Sequence, residues 1–234
     1  MTCEISFTKN GRQYKFVSKE RSAAGYLTKL ANDSSLSADI RNAAVSILNY
    51  AASVQTYKGY NTDNLANSGI APALKNTAAV SKNDITANEA VMNTGNTDMS
   101  LRAVTVNMLN KIALRAYYKL ENSALTAYQN GTLKFDYTAP DGSKGSKNIG
   151  VSSESSGICG REGEYIWVEL PEGISPKNYA DQAEIALRNG SEIGDSLKYS
   201  VLNYISAKCD TTRGMEKVAA ALYRYYTAVK AIAE

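Results

Sequence analysis

Ile112-Ala113-Leu114-Arg115-Ala116-Tyr117-Tyr118-Lys119-Leu120 alternates along its length. Ile112, Leu114, Ala116, Tyr118 and Leu120 fall on one side; Ala113, Arg115, Tyr117 and Lys119 fall on the other. A period of two is the mark of a strand with one buried face. Outward from this stretch the rhythm recurs. Leu133, Phe135 and Tyr137 alternate with Lys134, Asp136 and Thr138 after Asn130-Gly131, and Asp141-Gly142 signals a turn. Tyr165-Ile166-Trp167-Val168-Glu169-Leu170 is closed by Pro171. Strands are expected over 100–109, 111–120, 123–129, 132–138, 147–152, 164–170 and 183–188. Seven short strands with turn signals between them predict an antiparallel, Ig-like β-sandwich.

The chain also repeats itself. Glu4-Ile5-Ser6-Phe7-Thr8-Lys9-Asn10-Gly11 is echoed 180 positions later by Glu184-Ile185-Ala186-Leu187-Arg188-Asn189-Gly190-Ser191. Asn-Gly after an alternating run is a hairpin signal, because both residues tolerate positive φ. Each copy then enters two helical patterns. In the first, Tyr26, Leu27 and Leu30 share a face before a break at Asn32-Asp33-Ser34-Ser35. Ser37 follows as an N-cap, with a stripe of Ile40, Ala44, Ile47, Leu48, Ala51 and Val54. In the second, Leu197, Val201, Leu202 and Ile205 precede a break at Asp210-Thr211-Thr212. Met215, Val218, Ala219, Leu222, Tyr225, Tyr226 and Val229 form the last stripe. Spacings of three and four place each stripe on one helical face. The fold class expected is therefore α+β: a sandwich with packed two-helix hairpins. Residues 1–60 read as a partial module, 61–97 as an Asn/Thr/Ala/Ser-rich linker with one helical turn near Ala71–Leu74, and 98–234 as a complete module. Before the first copy lies no β-rich stretch, so the chain reads as a fragment of a tandem array, with residues 1–60 packed against the rest.

Composition narrows the chemistry. The 234 residues contain no His. That removes Ser-His-Asp and Cys-His nucleophile systems, His-ligated zinc and imidazole acid–base catalysis. A net charge of +3 is too small to argue for nucleic acid, and no apolar run is long enough to enter a bilayer. Cys3, Cys159 and Cys209 share no metal-ligand spacing, and three free thiols are the simplest expectation. Met1-Thr2-Cys3-Glu4-Ile5 enters a strand pattern without a secretory signal, which leaves a cytoplasmic protein or a piece of a longer exported one.

Leu48-Asn49-Tyr50-Ala51-Ala52-Ser53-Val54-Gln55-Thr56-Tyr57-Lys58-Gly59-Tyr60-Asn61-Thr62-Asp63-Asn64-Leu65-Ala66-Asn67 resembles a recurring module of large exported proteins from Gram-positive anaerobic gut bacteria. Around Leu222–Lys230 the likeness loosens: Arg224-Tyr225-Tyr226-Thr227 replaces the Asn-Tyr-Ala-Ala core and the closing Asn-Thr-Asp-Asn is absent. The resemblance implies a β-sandwich with a two-helix tail, an extracellular or cell-surface location, neighbouring modules in the same polypeptide and no catalysis. It carries over no functional residues. It also implies a host partner, of which immunoglobulin and mucin glycans are examples.

Several residues invite a sharper reading. Gly157-Ile158-Cys159-Gly160-Arg161-Glu162-Gly163 has a central Cys but no base to ionise it, and reads as a flexible loop between strands. Asp136, Glu162, Glu164 and Glu169 supply carboxylates of the kind a glycosidase pairs, although alternation puts most of them on solvated faces. Asp63 and Asp84 lack the spacing of a calcium loop. No cofactor is expected. Sixteen Tyr against three Phe and one Trp is the stronger signal. Tyr pairs a rigid contact face with a polar tip, which suits interfaces as well as sheets. Arg115, Tyr117 and Lys119 on one strand face, and Tyr223 with Arg224 off the inward stripe, are the candidate ligand-binding residues, with Tyr128 expected on a hairpin strand. The leading expectation is a non-catalytic module that binds a host protein, immunoglobulin being one candidate. The alternatives are a structural spacer and a carbohydrate-binding module.

Overall fold

The computed structural model describes residues 4–9, 12–17, 22–108, 111–211 and 214–233. β1 (Glu4–Lys9) and β2 (Arg12–Val17) pair antiparallel with Lys9 opposite Arg12. The Asn10-Gly11 turn expected between them lies outside the described residues, as does Cys3. α1 (Ala23–Asn32) and α2 (Ala38–Lys58) follow. Ser22 Oγ accepts from the Gly25 N–H at 2.9 Å and Ser37 Oγ from the Ile40 N–H at 3.4 Å, the bonds that satisfy free donors at a helix start. Gly59, at φ 63°, stops α2 in the left-handed conformation.

The next stretch, expected as a linker, is tied down along its length. Single helical turns form at Pro72–Leu74 and Lys82–Asp84. The Asn49 side chain donates to the Leu74 carbonyl at 2.9 Å, Gln182 to Glu89 at 2.7 Å and Asn203 to Asn88 at 2.7 Å. β3 (Val91–Asn93), β4 (Met99–Asn107) and β5 (Ala113–Leu120) come next. α3 (Asn122–Gln129), β6 (Leu133–Thr138) and β7 (Lys144–Ile149) follow. The chain then runs through β8 (Cys159–Glu162), β9 (Tyr165–Glu169), β10 (Ala183–Asn189) and β11 (Glu192–Tyr199). It ends in α4 (Val201–Cys209) and α5 (Met215–Ala233).

The fold is α+β, with two larger antiparallel sheets. One has the order β3-β11-β10-β6-β7 and the other β4-β5-β9-β8. Both contribute to one core: Leu133, Phe135, Ile185 and Leu187 from the first, and Leu114, Ala116, Tyr118, Ile166 and Val168 from the second. Each of these belongs to the inward set of its strand, as the period of two requires. Val201, Leu202, Ile205, Ala219 and Leu222 of α4 and α5 join the same core. Val54 and Tyr57 near the end of α2 border Met215 and Val218 at the start of α5, while Asp39 and Asn42 border Ala228 and Ala231. The two long helices therefore run antiparallel, and the first helix pair packs on the second.

Five expectations need correction. Residues 123–129 are helical, because Ala124, Ala127 and Tyr128 are buried at spacings of three and four. Asn130-Gly131 is then a helix stop and no hairpin, with Gly131 at φ 70°. Leu197 belongs to β11, a strand that the sequence reading passed over, and not to the following helix, which starts after the Ser200 cap. The Gly-rich loop contains β8: Cys159 is buried opposite Val168, and Gly160 leaves room for the Trp167 ring across the strand pair. In α2 the stripe is also wider than expected: Ala44 and Leu48 are buried as the spacing predicts, but Ile40 is exposed and Ala43, Asn49 and Ala52 are buried as well, since both α1 and α5 pack on this helix.

Candidate functional site

The outward-facing residues of β5 meet those of β9. Register places Arg115 opposite Glu169, Tyr117 opposite Trp167 and Lys119 opposite Tyr165. Arg115, Tyr117 and Lys119 thus share one face, as the alternation predicts, and the sheet brings Trp167, Tyr165 and Glu169 to them. Gly160 and Glu162 of β8 stand across from Trp167 and Tyr165.

Glu169 anchors this face. Its side chain is 2% exposed, yet it is fully partnered. Arg115 Nη2 approaches Oε2 at 2.8 Å and Arg115 Nε donates to the same oxygen at 2.9 Å. Asn107 donates at 3.0 Å and Lys111 Nζ lies 3.4 Å from Oε1. Lys111 also donates to the Leu170 and Pro171 carbonyls at 2.8 and 2.6 Å, which fixes the chain leaving β9. A buried carboxylate persists only when it is paired and hydrogen-bonded, and two cations here do both.

Held by Glu169, the Arg115 guanidinium lies over the Trp167 indole, its Cζ 3.9 Å from the ring centroid. The cation–π contact and the ion pair fix the same side chain from two directions. On the β8 side the indole lies against Gly160, where an added Cβ would stand 2.5 Å from Cζ2. Tyr117 donates its hydroxyl to Glu162 at 3.1 Å. Lys119 pairs with Glu121 at 2.8 Å, and the hydrogen bond to that carboxylate raises the ammonium pKa above its ordinary value. Beside Arg115 a cleft of about 210 Å³ opens, lined by Tyr57, Asn107, Tyr204, Met215 and Val218. Tyr57, 39% exposed, brings an aromatic ring to this cleft from the end of α2.

Tyr223 and Arg224 are placed differently. Tyr223 donates to the Asp84 carbonyl at 2.8 Å, and Arg224 Nη2 to the Ala78 carbonyl at 2.6 Å. Both fasten the connector to α5. Burial raises the Tyr223 phenol above its usual value and lowers that of the Arg224 guanidinium. Tyr128, expected on a strand, is buried on α3 with its hydroxyl bonded to Glu154 at 2.7 Å.

Of the four carboxylates weighed for catalysis, Asp136 pairs with Arg188 at 2.6 Å, Glu162 accepts from Tyr117, and Glu169 is held as above. Asp84 accepts from the Ser81 N–H. Cys159 and Cys209 are free and buried. Among the described residues no group of three or more His, Cys, Asp or Glu is arranged to hold a metal, and no helix is long and apolar enough to cross a membrane.

Trp167 and the cleft were missed in the sequence. Alternation alone puts Trp167 on the same face of its strand as Tyr165 and Glu169, but only strand order sets it beside Tyr117. A second hollow, of about 250 Å³, lies between the β6–β7 turn and the loop after β9, with Tyr137, Pro140, Pro171 and Ile174 in its wall. No protein-family model, curated protein or solved structure matches the chain.

Proposed function

We propose that the chain is a non-catalytic binding module of an exported or cell-surface bacterial protein, one of a tandem series, that engages a host protein. Immunoglobulin is one candidate. On this reading the paired sheets are an Ig-like sandwich and the helices its two-helix tails. The binding surface is the outer face of the four-stranded sheet around Arg115, Tyr117 and Lys119, with Trp167 and Tyr165 added.

The observation that carries the reading is the Arg115–Trp167 stack on buried Glu169. Arg, Trp and Tyr are the anchors enriched at protein interfaces, and here their rotamers are fixed in advance, which lowers the ordering cost of binding. The same stack weighs against a glycan. A sugar platform needs an open ring face, and Arg115 already covers the indole. The cleft next to Arg115 gives a partner side chain somewhere to insert.

The spacer alternative draws on a separate observation. Tyr223, Arg224, Asn49, Gln182 and Asn203 bind the connector to the body of the protein, so the two units act as one stiff piece. Affinity capture from serum and mucosal secretion on the immobilised chain, read by mass spectrometry, separates the readings. The binding module captures a host protein in stoichiometric amount. No capture, together with no hit on a glycan array, leaves the spacer.

A further inference from the structure

The tandem-module part of that reading, and not its ligand, leads to a second consequence. We propose that the outer edge of β1 receives an antiparallel strand of the β6 type, supplied by the strand-rich head of a preceding module of the same kind. β1, β2, α1 and α2 occur in the same order as β10, β11, α4 and α5. The hairpins share one offset along the first strand and at the turn: Glu4–Lys9 matches Glu184–Asn189, and Thr8 and Lys9 face Gln13 and Arg12 as Arg188 and Asn189 face Ile193 and Glu192. A bulge between Ala186 and Arg188 shifts the rest of the second hairpin by one residue, Glu4 facing Val17 and Glu184 facing Lys198. Each hairpin leads into a short helix capped by a serine, Ser22 or Ser200, and then into a long one.

The two hairpins differ in what flanks them. β10 has β6 on its outer side, with Glu184 opposite Thr138 and Arg188 opposite Lys134, and β11 has β3. Among the described residues β1 and β2 form a two-stranded sheet, with no third strand on either side. An isolated two-stranded hairpin is marginal in water, and its outer edge presents a row of N–H and C=O groups that template another strand. The repeat also states what fills it. The strand beside β1 is the counterpart of Leu133–Thr138, added edge to edge. A second copy of this chain does not offer one, because its β6 is already paired on both sides, by β10 and β7.

The test adds such a head to the full chain. Residues 85–182 are duplicated directly ahead of residue 3, so that Glu4 follows the added copy as Glu184 follows the original. Amide hydrogen exchange is then compared across Glu4–Lys9 in the extended and unextended chains. Docking slows the outward-pointing amides of β1 by about tenfold or more. Phe135→Pro, placed in the added copy alone, removes a donor from the new strand and restores the original rate. Unchanged exchange across β1 overturns the proposal, as does slowing that survives the proline. An added head that stays unfolded overturns it equally, since the first unit then cannot do for a head what the second does. Protection of β1 in the unextended chain that grows with protein concentration assigns the edge to a second copy, and contradicts it too. None of these outcomes depends on whether a host protein is captured.

Discussion

Tyr117 with Arg115 and Lys119 on β5, and Tyr223 with Arg224 on α5, are the same residue types in close sequence company, yet the fold uses them in opposite ways. The α5 pair donates to main-chain carbonyls, Asp84 and Ala78, and holds the connector against the helices. The β5 set is satisfied by acidic side chains, Glu169 and Glu162 of its own sheet and Glu121 just past the end of β5, and keeps its aromatic surface outward. A cation and a phenol that close on backbone act as clamps. The same groups held by acids on a sheet face form a preorganised surface.

The largest expected effect is at the buried acid. Glu169→Gln leaves Lys111 and Arg115 facing a neutral amide and destabilises the fold by about 2–4 kcal/mol. Trp167 is the single tryptophan, so its fluorescence reports the loss of the Arg115 stack during urea unfolding. Gly160→Ala forces the indole off its strand neighbour, at a cost of about 1–3 kcal/mol with a shift in the same emission. An unchanged spectrum in either variant would break the account of the sheet face.

Tyr223→Phe removes one bond to the connector and costs about 1 kcal/mol in the urea midpoint. Capture of any ligand stays as it was, which is the sharper half of the comparison. The smallest effect lies on the other sheet. Hydrogen bonds from Arg188 hold the Asp136 carboxyl below its ordinary 3.8. A depressed carboxyl stabilises the fold above the unfolded value, and that contribution disappears as pH falls through the folded one. Wild type therefore exceeds Asp136→Asn by at most about 1 kcal/mol at pH 7, and the gap closes below about pH 4. Urea midpoints over this pH range check the sign.

Local signals carried much of this fold. The alternation set the two faces of β5 from Leu114 to Leu120, although Ala113, expected outward, is buried, and the Asn189-Gly190 turn and the Ser37 cap stand where the residues put them. Where two periods competed, tertiary burial decided: Asn122–Gln129 has residues common in strands, but Ala124, Ala127 and Tyr128 pack as a helix face. The clamps were illegible for a different reason. Their acceptors are backbone carbonyls far away in sequence, and a carbonyl carries no residue signature. Trp167 was readable as an outward residue, but its place beside Arg115 depends on which strands become neighbours.

The most direct test compares two variants of the immobilised chain in capture from serum and mucosal secretion: Tyr117→Ala with Lys119→Ala on the sheet, and Tyr223→Phe with Arg224→Ala on the helix. The account predicts that a captured host protein falls at least about tenfold with the sheet variant, a loss of about 1.4 kcal/mol or more, and persists with the helix variant. Capture that survives the sheet variant and disappears with the helix variant would contradict it.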